Sequence, residues 1–232
     1  LGKLEIEAVN RNLGSGPRDS GREWRLNKLN LTVPEARLQA SGNWVPIGAQ
    51  GASAGGSPPG ARRTALKVLL DISDSGTLLG RFGMPDVIRG GKGKLEGTVS
   101  WVGSPSELHY PSLGGELALS LERGQFLKAD PGIGKLLGVR SLQALPRRLT
   151  LDFRDVFSEG FSFDFVRGNA KIDQGVMSSN NLQMKGVSAA VLLEGSANLA
   201  RETQDLHVVV IPEINAGTAS LITSFINPVT GL

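Results

Sequence analysis

The chain has 232 residues, of which 40% are hydrophobic and 20% are charged, so it can bury a sizeable core as one domain or two small ones. Lysine and arginine number 25 against 22 aspartates and glutamates, and this small surplus is spread along the chain, which argues against nucleic acid as a partner. The absence of cysteine excludes thiol catalysis, disulfides and thiolate metal sites, and it is compatible with an oxidising compartment.

The first part of the chain predicts β-strands. Apolar and polar residues nearly alternate from Lys3 to Val9, from Leu26 to Val33 and from Leu38 to Val45, and the breaks contain Gly, Pro, Asn and Ser. Residues 46–61, PIGAQGASAGGSPPGA, have too little bulk to bury and too many glycines and prolines to hold one backbone shape. We expect them to form a flexible loop within a single domain of residues 1–232.

Strand patterning resumes after this loop and continues almost to the end. The alternating segments are TALKVLLDI, KLEGTVSWV, GGELALSLE, RRLTLDF, GFSFDF, NAKIDQGVM, NNLQMKG, AAVLLEGSANL and DLHVVVI. About a dozen strands in all predict a long antiparallel meander that grows by adding hairpins. The pairs Gly90-Gly91, Gly114-Gly115 and Asn180-Asn181 are interpreted as turns between strands.

Two helices are predicted to interrupt the meander, and a third is expected to be a single turn. The first runs from about Pro131 to Leu145, after Asp130 as N-cap and before a terminating proline. The second spans about Ala216 to Ile226, where apolar residues share one stripe. The short turn lies at Thr77 to Phe82, with its leucines and Phe82 facing inward.

Several strands place apolar side chains at every second position, so that each set lies on one face of the sheet. The predicted apolar set is Leu117, Leu119, Leu121, Leu149, Leu151, Phe153, Phe161, Phe163, Phe165, Val191, Leu193, Val208 and Val210. Polar residues such as Ser120, Asp152 and Asp164 occupy the positions between. The pattern therefore predicts a sheet with one apolar face and one solvated face.

The predicted helices are too small to cover this apolar face. Ten strands of about eight residues give a face of roughly 1,200 Å², whereas two helices cover only roughly 400 Å². Soluble monomers rarely expose so large an apolar patch, so the remainder must contact itself, a ligand, a partner or a membrane. Alternation alone leaves two readings open: a dry sandwich core, or a curled sheet whose gap is filled by acyl chains.

The sequence gives little support for catalysis or for cofactor binding. The glycines Gly132, Gly134 and Gly138 imitate a dinucleotide-binding turn, but the spacing is imperfect and no further βαβ alternation follows. His109 and His207 are the only histidines, and neither has a second ligand at helical spacing. His207 is expected on the solvated face. We therefore expect a protein that is not an enzyme and that needs no metal or cofactor.

Two arginine pairs are candidates for contact with phosphate head groups. Arg62-Arg63 precedes a strand, and Arg147-Arg148 ends the predicted helix at Pro131 to Leu145. Helix C-termini also favour cations, so complementation of the helix dipole is the simpler explanation for Arg147 and Arg148. The sequence leaves both open.

The chain begins without a methionine or a signal-like segment, and it contains no run of about 18 apolar residues. We expect it to be a fragment of a longer protein, with any membrane anchor outside it.

Three segments of the chain resemble a known protein family. The segments FLKADPGIGKLLGVRSLQALPRRLTLDFRDVFSEGFSFD, MKGVSAAVLLEGSANLARETQDLHVVVIPE and PDVIRGGKGKLEGTVSWVGSPSEL resemble the C-terminal part of the YhdP family, within the AsmA-like superfamily. The resemblance covers about residues 84–213, and residues 46–61 look like an insertion. It implies an elongated β-structure with an apolar groove, anchored in the inner membrane of Gram-negative bacteria and crossing the periplasm.

The resemblance also implies transport of phospholipid between the inner and outer membranes, with no catalytic motif. It favours the curled sheet over the sandwich. We therefore predict a mainly β protein, an elongated, taco-like antiparallel sheet with two or three short helices, whose concave face holds acyl chains. The alternative is a dry scaffold that docks another envelope protein.

Overall fold

The computed structural model describes residues 2–12, 21–47, 61–127 and 160–212. These residues form ten strands and one short α-helix. In chain order they are β1 (Lys3–Asn12), β2 (Arg22–Val33), β3 (Ala36–Pro46), β4 (Arg62–Ile72), α1 (Ser75–Arg81), β5 (Ile88–Val102), β6 (Gly114–Phe126), β7 (Phe161–Asp173), β8 (Val176–Gly186), β9 (Ala189–Asn198) and β10 (Thr203–Pro212).

All ten strands belong to one sheet in which spatial order follows chain order from β1 to β10. Every neighbouring pair is antiparallel. The sheet is open, since β1 and β10 form its two edges. The prediction of a mainly β, antiparallel meander is confirmed, and an open, twisted sheet of this length is consistent with a curled one.

Alternation produces the two faces that the sequence predicts. In β5 the side chains of Lys92, Lys94, Glu96 and Thr98 are exposed, whereas residues 93, 95, 97 and 99 between them are half-buried. We call the face that carries Leu95 the apolar face and the face that carries Glu96 the polar face. The cross-strand pairs extend both faces over the whole sheet, because directly paired residues point to the same side.

Two buried clusters lie on the apolar face at opposite ends of the strands. The first consists of Leu121, Phe161, Phe163, Val166 and Ala189, with Phe161 only 1% exposed. The second consists of Trp101, Leu113 and Ile172. Between them, the middle of the strands carries apolar side chains that remain half-exposed.

The alternation changes phase along a line that crosses three strands. Gly91, Arg123 and Asp164 lie at the same level of β5, β6 and β7. Gly91 and Arg123 have φ of 83° and 51°, and Asp164 is an extra residue relative to β8. Such irregularities turn the side chains that follow to the opposite face of the sheet. Leu121 before the line and Phe126 after it therefore pack in the same cluster, although their numbers differ by five.

Three predicted turns prove to be parts of strands. Gly90-Gly91 lies inside β5, Gly114-Gly115 begins β6, and Asn180-Asn181 lies inside β8. The asparagine pair marks a register shift against β9, where the Asn181 side chain accepts a hydrogen bond from the Asn169 amide at 2.8 Å. These residues mark irregular backbone, but the strands continue through them.

The alternating segment NAKIDQGVM forms a hairpin around a short polar turn that contains glycine. Gln174 and Gly175 have φ of 48° and 76°, which makes them the two-residue turn between β7 and β8. A turn with two positive φ values matches the twist of the strands it connects.

The short helix predicted at Thr77 to Phe82 is α1. Its N-cap is Asp74, whose carboxylate accepts a hydrogen bond from the Thr77 amide at 3.0 Å. Phe82 was expected to face inward but is 71% exposed, because the helix ends at Arg81 and Phe82 is its C-cap. The buried carboxylate of Glu35 pairs with Arg81 and holds α1 against the β2–β3 turn.

Several predicted elements lie outside the described residues. They are the helices at 131–145 and 216–226, the strand at 147–153, and residues 48–60 of the predicted loop.

Candidate functional site

One row of side chains crosses the apolar face through all ten strands, and we call it the central row. Each member is paired with or lies directly against the next across adjacent strands. The members are Leu4, Leu31, Leu38, Leu70, Leu95, Leu119, Gly168, Leu182, Leu193 and Val208. Nine inter-strand steps of about 4.8 Å give the row a length of roughly 43 Å.

None of the ten residues of the central row is buried, although nine of them are leucine or valine. Leu4 on the edge strand is 56% exposed, and the other nine are half-buried. A packed interior would bury such side chains almost completely. The central row therefore forms a continuous apolar strip that the described residues cover only in part.

Parallel rows flank this strip. On one side lies the row of Ile72, Gly93, Leu121, Val166 and Met184, which joins the first buried cluster. On the other side lies Leu66, paired with Val99, beside the second cluster. The strip thus runs across the strands between two better-packed margins.

Nine of the predicted apolar residues lie on this face. They are Leu117, Leu119, Leu121, Phe161, Phe163, Val191, Leu193, Val208 and Val210. Leu119, Leu193 and Val208 belong to the central row. Leu121, Val191, Phe161 and Phe163 are buried in the first margin, so they support the strip more than they line it.

Phe165 does not share the face of Phe161 and Phe163, and its predicted place in their row is wrong. It is paired with the exposed Glu122, and its ring lies 4.3 Å from the guanidinium of Arg167, an exposed residue. The physical reason is the phase change at Asp164, which turns Phe165 to the polar face. The remaining predicted residues, Leu149, Leu151, Phe153, Arg147 and Arg148, lie outside the described part of the chain.

The pattern of apolar residues does not identify the first half of the central row. Leu4, Leu31, Leu38, Leu70 and Leu95 each occupy an alternating segment that the sequence identifies as a strand. Which leucine meets which depends on the register between strands. Only the pairing in space reveals that all five belong to one continuous strip.

The polar face carries two cavities of similar size and different charge. The first, of about 890 Å³, is lined by the cations Arg11, Arg25, Arg63 and Lys67 and by one carboxylate, Asp173. We call it the basic cavity, since four positive groups face one negative group. It lies near the end of the sheet where β1 ends and β4 begins.

The second cavity, of about 840 Å³, is lined by Lys67 and Lys171 together with Glu96 and Glu116. Two cations and two carboxylates balance, so we call it the neutral cavity. Glu116 and Lys171 are directly paired across β6 and β7, which compensates their charges locally.

At the edge of the polar face, Glu5 lies between two lysines. Its carboxylate is 2.7 Å from Lys3 Nζ and 3.0 Å from Lys28 Nζ. The hydrogen bond from Lys3, and then that from Lys28, lower the pKa of Glu5 from 4.5 to about 2. The ionised form is therefore favoured in the folded state, and this edge contact weakens as the pH falls from about 4.5 through about 2.

We expect the Glu5 carboxyl to titrate at about pH 2 in the folded protein. The substitution Lys3→Ala should raise this midpoint more than Lys28→Ala does, because the Lys3 hydrogen bond is the larger cause of the lowered pKa. Carboxyl carbon chemical shifts followed by NMR against pH would measure both. Equal midpoints in the wild type and the Lys3→Ala variant would contradict the assignment.

Within residues 2–12, 21–47, 61–127 and 160–212, no group of three His, Asp or Glu side chains is arranged to hold a metal ion. His207 lies on the solvated side as predicted, with Nδ1 3.1 Å from Glu194 Oε1. His109 Nδ1 lies 2.7 Å from Ser112 Oγ. In the same part of the chain, no helix combines the length and the apolar character needed to cross a bilayer.

Comparison with known proteins gives one family and one relative. The family model described as YhdP protein matches residues 1–232. The intermembrane phospholipid transporter YhdP of Escherichia coli (strain K12) is 32% identical over 197 residues, which cover 84% of this chain. The matched part is only 15% of that transporter's length. No solved structure matches the chain.

Proposed function

Because the chain belongs to the YhdP family, we propose that it carries phospholipid between the inner and outer membranes of the bacterial envelope, with the acyl chains on its apolar face. The whole protein would lie in the periplasm and be anchored in the inner membrane by a segment outside this chain. The observation that carries the proposal is the central row, an apolar strip that crosses all ten strands and stays half-exposed.

The length of the strip suits this task. At roughly 43 Å it exceeds the roughly 30 Å thickness of a bilayer's hydrocarbon core, so an acyl chain can lie along it without meeting a polar side chain. Each methylene that leaves water contributes about 0.8 kcal/mol, whichever strand it touches. Because the rows repeat from strand to strand, a chain can shift by one strand at little net cost.

Passive conduction follows from this repetition. The tails slide along the apolar face, and the charged head groups remain in water at the edge of the sheet. Neither movement requires a covalent step, a metal or a cofactor, which agrees with a role other than catalysis. The direction of net transport would come from elsewhere in the whole protein or from its partners.

The test is site-specific photocrosslinking in the full-length protein in cells. A benzophenone side chain replaces Leu95 in the central row or Lys94, its neighbour on the polar face of the same strand and outside both cavities. We expect phospholipid adducts at position 95 and few or none at position 94. Equal lipid yields at both positions, or none at position 95, would refute the proposal. An adduct with a protein alone at position 95 would favour the scaffold that docks an envelope partner.

A further inference from the structure

The basic cavity holds more positive than negative charge, since four cations line it with one carboxylate, Asp173, and Glu23 lies opposite Arg11 across β1 and β2. Within these residues, no ion pair joins Arg11, Arg25, Arg63 or Lys67 to a carboxylate. The hydrogen bond described for these groups is from Arg63 Nη2 to the neutral Ser100 Oγ, at 2.9 Å. Like charges gathered in one cavity repel one another, so the arrangement gains most from an anion.

Nearby carboxylates are engaged with amides. Glu23 accepts a hydrogen bond from Asn43 Nδ2 at 3.0 Å, and Glu7 accepts one from Asn27 Nδ2 at 3.2 Å. Asn27 and Asn43 themselves line the cavity, as do Ser41 and Ser100. The lining therefore combines cationic groups with neutral hydrogen-bonding side chains, which is the chemistry that recognises phosphate oxygens.

We propose that the basic cavity binds a phosphate-bearing anion. An arginine guanidinium can donate two hydrogen bonds to phosphate oxygens, and the Lys67 ammonium adds a compact positive charge to the lining of the cavity. The neutral cavity next to it has similar size but balanced charge, so the same ligand has no reason to prefer it. Because the two cavities differ in charge and are similar in size, the neutral cavity serves as a control for the basic cavity.

The position of the cavity connects this site with lipid. At the same end of the strands, the apolar face carries a row of Trp24, Trp44, Thr64 and Trp101, in which the first two are half-buried and the last two are buried, one residue away from the arginines. The Arg62 guanidinium lies 4.0 Å from the Trp44 ring and donates to the carbonyl oxygens of Arg22 and Trp44. Tryptophan and arginine together favour the boundary between hydrocarbon and water.

Two sources can supply the phosphate: a phospholipid head group or a free phosphorylated solute. The head-group source rests on the proposed function, because the tails would then run onto the apolar face at the tryptophan end. The solute source does not. The experiment therefore separates them by presenting the anion with and without a lipid.

The first measurement titrates the purified chain with inorganic phosphate and follows arginine Nε–H resonances by NMR. We expect saturable shifts of Arg25 and Arg63 and weaker binding, by about tenfold, in each of Arg25→Gln and Arg63→Gln. Lys171→Gln, in the neutral cavity, is the matched control and should leave the affinity unchanged. Equal loss in all three variants, or no saturable binding, would overturn the proposal.

The second measurement is co-flotation with vesicles. Binding to phosphatidylglycerol vesicles that is absent with phosphatidylcholine alone, and that falls about tenfold in Arg25→Gln, supports the site with a head-group source. Saturable binding of inorganic phosphate without any vesicle binding supports the site with a solute source. Vesicle binding that Arg25→Gln leaves intact overturns the assignment of the head group to this cavity. Photocrosslinking at position 95 tests the apolar strip independently of all three results.

Discussion

The substitution Leu95→Asp is expected to lower the phospholipid bound per chain by about 100-fold. Leu95 lies in the middle of the central row, between Leu70 and Leu119, and belongs to neither buried cluster. A carboxylate placed against hydrocarbon costs about 2.5 to 3.5 kcal/mol, and about 1.4 kcal/mol corresponds to a factor of ten in binding. Lipid extraction followed by mass spectrometry of the purified variant would measure the loss.

Matched variants separate loss of lipid from loss of fold. Ser120→Asp adds the same charge to the polar face of the neighbouring strand β6, beside Lys94 and Arg167 and outside both cavities, and should retain wild-type lipid. Leu95→Ile keeps the apolar character of the position and should retain lipid as well. A folded Leu95→Asp protein that still carries its full complement of phospholipid would show that acyl chains do not contact the central row.

Much of the fold could be predicted because alternation is a local signal. Polar and apolar residues alternate at Lys94, Leu95 and Glu96, which indicates the face of the sheet on which each side chain lies. The same kind of alternation is present in the other strands of the meander. Each strand pairs with the next along the chain, so chain order gives the order of the described strands, although residues 127–160 separate β6 from β7. The open sheet with one apolar face therefore follows from residue spacing and chain order.

The irregularities could not be predicted, because they depend on residues that leave the β-region of backbone space. Gly90-Gly91 resembles a turn in the sequence, yet hydrogen bonds to β6 on one side hold it within the sheet. Arg123 adopts a positive φ although it is not a glycine, and Gly124 follows it without ending the strand. Phe165 consequently lies on the polar face, whereas strict alternation of side chains would place it on the apolar face.

The candidate site depends on register, which is a long-range property. Leu4 and Val208 are separated by the whole meander, and their membership of one strip follows only from nine successive pairings. The basic cavity is a similar case, since Arg11, Arg63 and Asp173 come from β1, β4 and β7. Because charged residues are spread along the sequence, the sequence does not reveal the local excess of cations that the fold brings together in this cavity.

The phase change itself can be tested through stability. Phe161→Ala should lower the free energy of unfolding by about 3 to 5 kcal/mol, because a fully buried aromatic ring leaves a cavity. Phe161 is 1% exposed and packs with Phe163 and Val166 in the first cluster. Urea unfolding monitored by circular dichroism would measure the change.

Phe165→Ala is the matched control, four residues away in the same strand. Its ring lies on the polar face and stacks under Arg167, a contact worth about 0.5 to 1 kcal/mol at an exposed site. The Phe165→Ala loss should therefore be a small fraction of the Phe161→Ala loss. If alternation continued unbroken through Asp164, both rings would face the same cluster and the two losses would be similar, so the ratio between them decides which face Phe165 occupies.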